Sequence, residues 1–125
     1  MIIDIYIGNR EFRAEVFHTV TGKAIMEKLP LSAVASTWGD EIYFPVPVQV
    51  KLEPGAKADV EIGDLAYWPT MPAFCIFFGP TPASVGDAPR AASAVNVFGR
   101  LIAPDLDLLR STTDGEKLMI IRAHE

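Results

Sequence analysis

Tyr67-Trp68-Pro69-Thr70-Met71-Pro72-Ala73-Phe74-Cys75-Ile76-Phe77-Phe78-Gly79-Pro80-Thr81-Pro82 decides how the rest of the chain is read. Five aromatics, four prolines and the only cysteine fall within these sixteen residues. Proline fixes φ and lacks a backbone N–H, so this stretch does not form a helix. Phe74 to Phe78 is apolar at every position, as in a strand buried on both faces of a sheet protein. Leu65 to Trp68 forms a shorter strand before it, and the prolines bound the connection.

The same periodicity extends outward. Ile3, Ile5 and Ile7 alternate with Asp4 and Tyr6, and Phe12, Ala14 and Val16 alternate with Arg13 and Glu15. Gly8-Asn9 lies between them, which predicts a hairpin. Thr19 or Thr21 can cap a helix reaching about Leu29, with Ile25 and Leu29 on one face and Pro30 as its stop. Gly22 near its start costs roughly 1 kcal/mol of helix propensity. Leu31 to Trp38 is the third predicted strand and Glu41 to Phe44 the fourth, turned at Gly39-Asp40. Pro45 and Pro47 then place that strand at an edge or end it. Val48 to Asp59 reads mostly as loop, and Gly79 to Ala94 as the longest irregular segment. Val95 to Ile102 is the seventh strand. Pro104-Asp105 opens a short helix through Arg110, and Lys117 to Ala123 is the last strand. This order predicts a mainly β protein, a closed eight-stranded antiparallel barrel with two short helices.

The totals set the class. A chain of 125 residues is read as a single domain, 1–125, and 50% apolar content builds a core without staples. A net charge of -5 excludes the basic footprint of a nucleic-acid binder. One cysteine excludes an internal disulfide, which favours a reducing, cytoplasmic setting. The apolar stretch Ala66 to Phe78 is too short and too proline-broken to cross a membrane. His18 and His124 are the only histidines and neither has a nearby partner, so no metal is expected. No phosphate loop or nucleophile elbow occurs, so no cofactor is expected.

Several segments resemble cyclophilins. Ile3-Asp4-Ile5-Tyr6-Ile7-Gly8 with Glu15-Val16-Phe17 is similar to their opening hairpin. Gly63-Asp64-Leu65-Ala66 with Phe74-Cys75-Ile76 resembles their central strand pair. Val97-Phe98-Gly99-Arg100-Leu101 resembles their Val-Phe-Gly-Lys-Val strand. Gly39-Asp40-Glu41-Ile42-Tyr43-Phe44 and Gly63-Asp64-Leu65-Ala66-Tyr67-Trp68-Pro69 resemble the signatures of a small prokaryotic family, the cyclophilin-like domains of unknown function. The likeness covers nearly the whole chain and implies the cyclophilin fold. It does not carry the catalytic residues. Cyclophilins lower the ~18–20 kcal/mol barrier to prolyl rotation, and the resemblance places their catalytic arginine in the third strand. Leu31 to Trp38 contains no arginine. The glutamine that follows in cyclophilins is also missing, and their pocket histidine falls at Val95. Their aromatic floor falls at Phe74 or at Cys75.

Each remaining constellation has a plain reading beside a functional one. Cys75 in an apolar strand is a buried inert thiol rather than a nucleophile. Glu53, Asp59, Glu61 and Asp64 read as a solvated acidic face. Arg90 pairs with Asp87 or anchors a carboxylate. Trp38, Tyr43, Phe44, Tyr67, Trp68, Met71 and Phe74 divide between core packing and the wall of an apolar pocket; all but Phe44 are pocket candidates, Trp38, Trp68 and Met71 foremost, with the hydroxyls of Thr37 and Thr70 as polar contacts.

The leading functional expectation is a cyclophilin-like domain without prolyl isomerase activity. It would bind a small apolar molecule or a proline-containing peptide in an aromatic cleft. The alternative is a peptidyl-prolyl cis-trans isomerase with a non-standard site. A third reading makes Pro45-Val46-Pro47-Val48 an apolar surface for a second copy, leaving monomer and homodimer both open.

Overall fold

The computed structural model describes residues 1–123; His124 lies outside them. Ten strands and two helices form in the order β1 (Ile2–Ile7), β2 (Arg10–Val16), α1 (Val20–Glu27), β3 (Leu31–Val34), β4 (Ser36–Thr37), β5 (Glu41–Pro45), β6 (Lys57–Asp59), β7 (Asp64–Trp68), β8 (Ala73–Phe77), β9 (Arg90–Leu101), α2 (Leu106–Arg110) and β10 (Lys117–Arg122). All pairings are antiparallel. The hydrogen-bonded path runs β3-β10-β1-β2-β9-β7-β8-β5-β4, with β6 added to β9. No helix among the described residues is long and apolar enough to cross a membrane.

The opening hairpin follows its alternation. Ile3, Ile5, Ile7, Phe12, Ala14 and Val16 are buried in one cluster. On the opposite face Asp4 stands across from Arg13, and the two form an ion pair at 3.2 Å.

Helix α1 is capped by Thr19, whose hydroxyl accepts from the Gly22 N–H at 2.9 Å. Thr21, the other candidate cap, is instead fully buried. Its hydroxyl donates to Glu53 and accepts from Asn96 Nδ2 at 3.0 Å. This network ties the helix to the 48–56 segment and to β9. Gly22 sits against the Phe17 carbonyl, where any side chain would collide. Close approach thus outweighs its propensity cost. The helix ends at Glu27, two residues before the expected limit.

Two features depart from the expected eight-stranded closed barrel. The predicted third strand is broken at Ala35 into β3 and β4, which have different partners. The Ala35 N–H donates to the Glu116 carbonyl at 2.8 Å, and its own carbonyl accepts from Gly115. β3 and β4 are the two ends of the path, and no ladder joins them, so the sheet is not closed by hydrogen bonds. Chain continuity through Ala35 connects its ends instead.

The second departure is β9, which begins at Arg90 rather than Val95. Its first half pairs with β6, itself hidden in the expected 48–59 loop. Its second half is shared by β7 and β2. Val46 and Val48 lie in the main core cluster, so they do not form the apolar outer surface expected of the Pro45–Val48 segment.

The main core lies on one face of the sheet. Phe44 stacks on Phe74 with centroids 4.8 Å apart, and Phe74 meets Phe98 edge-on at 5.0 Å. A second, smaller cluster lies on the opposite face of β7 and β8, formed by Val60, Ala66, Ala73, Cys75, Phe77, Ala91 and Val95. β8 is therefore buried on both sides, as its uniformly apolar sequence predicts.

Candidate functional site

The outer cluster is incompletely filled. A cavity of about 350 Å³ opens there, lined by Trp38, Glu41, Tyr43, Trp68, Met71, Cys75, Ala91, Ala92 and Val95. Its floor comes from strand alternation. On β5, Ile42 and Phe44 turn into the main core, leaving Glu41 and Tyr43 on the outer face. On β8, Phe74 and Ile76 turn inward and Cys75 turns outward. Tyr43 and Cys75 are cross-strand partners, and Glu41 lies diagonally beside Cys75 on the same face.

Two connections shape the rim. Phe78 N–H donates to the Asp40 carbonyl and Asp40 N–H to the Pro80 carbonyl, each at 2.9 Å. This fastens the turn before β5 to the exit of β8. Gly79 is needed there because Asp40 occupies the space of any side chain. Trp38 N–H donates to the Glu41 carbonyl at 3.0 Å, which holds the tryptophan at the entrance of the same turn. Trp68 is held by its Nε1–H, which donates to Ser93 Oγ at 2.6 Å. The 79–90 segment is tied back on itself. Thr81 Oγ1 donates to the Arg90 carbonyl, and Ser84 Oγ donates to the Ala88 carbonyl at 2.7 Å.

Four of the eight residues expected at a pocket meet at this cavity: Trp38, Tyr43, Trp68 and Met71. The other four lie elsewhere. Tyr67 is buried and its hydroxyl donates to the Val48 carbonyl at 2.7 Å, pinning the 48–56 segment to the core. Phe74 belongs to the stacked rings of the main core. Thr37 is engaged by Asp114, which accepts from its N–H at 2.7 Å and its hydroxyl at 2.8 Å. Thr70 is exposed in the β7–β8 turn outside the lining. Period-two alternation separates Phe74 from Cys75 and Tyr67 from Trp68. Of the two candidates for the cyclophilin pocket floor, Cys75 lines the cavity. Val95, where the resemblance places the cyclophilin histidine, also lines it.

Sequence reasoning missed Glu41, Ala91 and Ala92. Glu41 is two residues before Tyr43 on one strand, so their shared face was available as a signal. Glu41 is only 6% exposed, and burial pushes its carboxyl up to about 7. A hydrogen bond from the Cys75 thiol opposes that rise. Burial, together with the neighbouring Glu41 charge and hydrogen bond, pushes the Cys75 thiol well above its ordinary range. The thiol therefore stays protonated, in keeping with an inert cysteine.

The acidic stretch does not form one solvated face. Glu53 bonds Thr21, Asp59 pairs with Arg90 at 3.5 Å, and Arg100 bridges Glu61 at 2.9 Å and Asp64 at 3.2 Å. Arg90 thus pairs with Asp59 rather than Asp87. Among the described residues, no three His, Cys, Asp or Glu side chains gather as a metal site would require.

A family model described as Cyclophilin-like matches residues 1–121. The solution structure of the hypothetical protein AF2241 from Archaeoglobus fulgidus is similar at 41% identity. That match covers 98% of this chain and 95% of the other, with a TM-score of 0.81. The structure of McbB in complex with tryptophan is similar at 15% identity and a TM-score of 0.66, covering 98% of this chain. This chain spans 45% of McbB, and that likeness concerns the fold alone. No curated protein matches the chain significantly.

Proposed function

Because the chain belongs to the cyclophilin-like family, and its outer-face cavity is walled by aromatic rings, we propose that it binds a small apolar molecule there without classical prolyl isomerase activity. The single observation carrying this reading is the cavity of about 350 Å³ left between Trp38, Tyr43, Trp68 and Met71. A cavity of this size lies at the small end of the usual ligand range of roughly 300–1,000 Å³. It suits a compact molecule of one or two rings better than an extended peptide.

The absence of isomerase activity is supported by the lining, which includes no arginine. Arg90 is the nearest along the chain to lining residues, and its guanidinium engages Asp59. A prolyl isomerase needs a donor preorganised toward the rotating amide, and neither Val95 nor Cys75 supplies a strong one.

Both tryptophans of the chain stand at the cavity, so their fluorescence reports on its contents. Titration with 2-phenylethanol is expected to perturb that emission with saturation. Trp68→Ala should weaken binding about tenfold, the equivalent of ~1.4 kcal/mol. Unchanged affinity in both Trp38→Ala and Trp68→Ala would place binding elsewhere and overturn the reading. In a protease-coupled assay on an Ala-Pro peptide, the expected rate is the uncatalysed one. Acceleration proportional to protein concentration would overturn the non-catalytic part.

A further inference from the structure

Among the residues lining the cavity, Glu41 alone carries an acidic or basic side chain. It is buried, and among the described residues it forms no ion pair. The Cys75 thiol beside it in the lining is only a weak donor. The titratable groups around it are that thiol on β8 and the Tyr43 phenol on its own strand. β7 brings Trp68, and β9 brings Ala91, Ala92 and Val95. The adjacent Asp40 is engaged by Arg110 at 3.4 Å. Among the described residues, no cation therefore answers the Glu41 carboxyl inside the cavity.

Burying an acid without a cation is costly when the acid ionises. A neutral apolar ligand leaves that cost in place, and an anionic ligand adds repulsion. A ligand with a positive charge removes it. The walls suit the same charge, because the rings of Trp38, Tyr43 and Trp68 attract cations through their quadrupoles. The chain's net charge of -5 favours the approach of a cation over that of an anion.

We propose that the cavity selects a small organic ammonium ion, whose charged nitrogen meets the Glu41 carboxylate while its apolar body lies among the aromatic walls. This rests on the cavity reading above and names its ligand class. Binding transfers the Glu41 proton to solvent, since the amine keeps its own. The burial that raises the carboxyl to about 7 makes this exchange titrate near neutrality.

The experiment compares 2-phenylethylamine, which is protonated below pH 9, with 2-phenylethanol, a neutral molecule of nearly the same shape. Tryptophan fluorescence titrations are run from pH 5.5 to pH 8. The amine is expected to bind at least about tenfold more tightly than the alcohol at pH 8. If only the ionised carboxylate accepts it, amine affinity falls on the order of thirtyfold by pH 5.5. The alcohol should bind equally at both ends. In Glu41→Gln, folded by circular dichroism, the amine should lose its advantage and its pH dependence while the alcohol still binds. Equal affinities for amine and alcohol at pH 8 would overturn the amine inference and leave the cavity reading standing. Preferential amine binding that persists in Glu41→Gln would also overturn it. Failure of both probes to bind would overturn the two readings together.

Discussion

The two faces of β8 are both buried and are packed in opposite ways. On the inner face Phe74 stacks on Phe44 and abuts Phe98, joined by Ile76. On the outer face Ala73 and Cys75 meet Ala66 and Ala91, with Phe77 as the one large side chain. The inner face is filled by rings, as the core of a small sheet protein requires. The outer face is built from small residues and framed by larger ones at the rim, so a cavity remains. Burial alone therefore does not separate core from site. The size of the buried side chains does.

The sharpest way to break this contrast is to empty the filled side. Phe74→Ala removes a ring held between two others, and should cost about 3–5 kcal/mol. Urea unfolding monitored by far-UV circular dichroism measures it. A loss below about 1 kcal/mol would mean that the inner face tolerates space as the outer one does.

Glu41 tests the opposite side through its titration. Its carboxyl ordinarily ionises near 4.5 and is raised to about 7 in the folded protein. Below pH 4.5 it is neutral in both folded and unfolded chains. Between pH 4.5 and 7 the unfolded chain ionises first, so stability is lost as pH rises. The contribution approaches about 3 kcal/mol above pH 7. Glu41→Gln should therefore be more stable than the native chain at pH 8 by up to that amount, and nearly equal to it at pH 4. Thermal or urea unfolding across this range would show the two curves diverging with pH. Parallel curves would remove the buried carboxyl from the account.

The smallest expected effect lies outside both faces. Asp59 and Arg90 join β6 to the start of β9 at 3.5 Å, and both side chains are exposed. Asp59→Ala should change stability by no more than ~0.5 kcal/mol, because solvent and salt screen such a pair. A larger loss in urea unfolding would make the β6–β9 pairing part of the frame around the cavity.

Much of the frame was readable from residue order. Alternating isoleucines marked β1, the five apolar residues from Phe74 marked β8, and Asp105 marked the start of α2, where its carboxylate accepts two backbone N–H bonds. The first half of β9 was not readable. Ala91, Ala92, Ser93 and Ala94 follow a Gly/Pro-rich segment and carry little period-two contrast, so only their partner β6 identifies them as strand. The break at Ala35 was equally hidden. Nothing in Leu31 to Trp38 distinguishes one strand from two, and the division arises because β10 and β5 pair with different halves.

The candidate site divides in the same manner. Trp38, Tyr43, Trp68 and Met71 stand out in the sequence as rings and a thioether near turns and prolines, and they meet at one cavity. Tyr67 and Phe74 share that sequence setting and belong to the core. Their adjacency to Trp68 and Cys75 made composition blind to the side on which each lies. Glu41 escaped notice because an acid after a Gly-Asp turn ordinarily faces water.

The sequence by itself determined both helices and most of the strands, the doubly buried character of β8, and the absence of an arginine where the resemblance places that of cyclophilins. These are local properties, set by periodicity, proline and residue identity. Tertiary structure alone decided which face of each strand is filled, and that Glu41 and Cys75 share one cavity with Trp38, Tyr43 and Trp68. Those outcomes depend on register between distant segments, and a one-residue shift in register would exchange core and cavity residues.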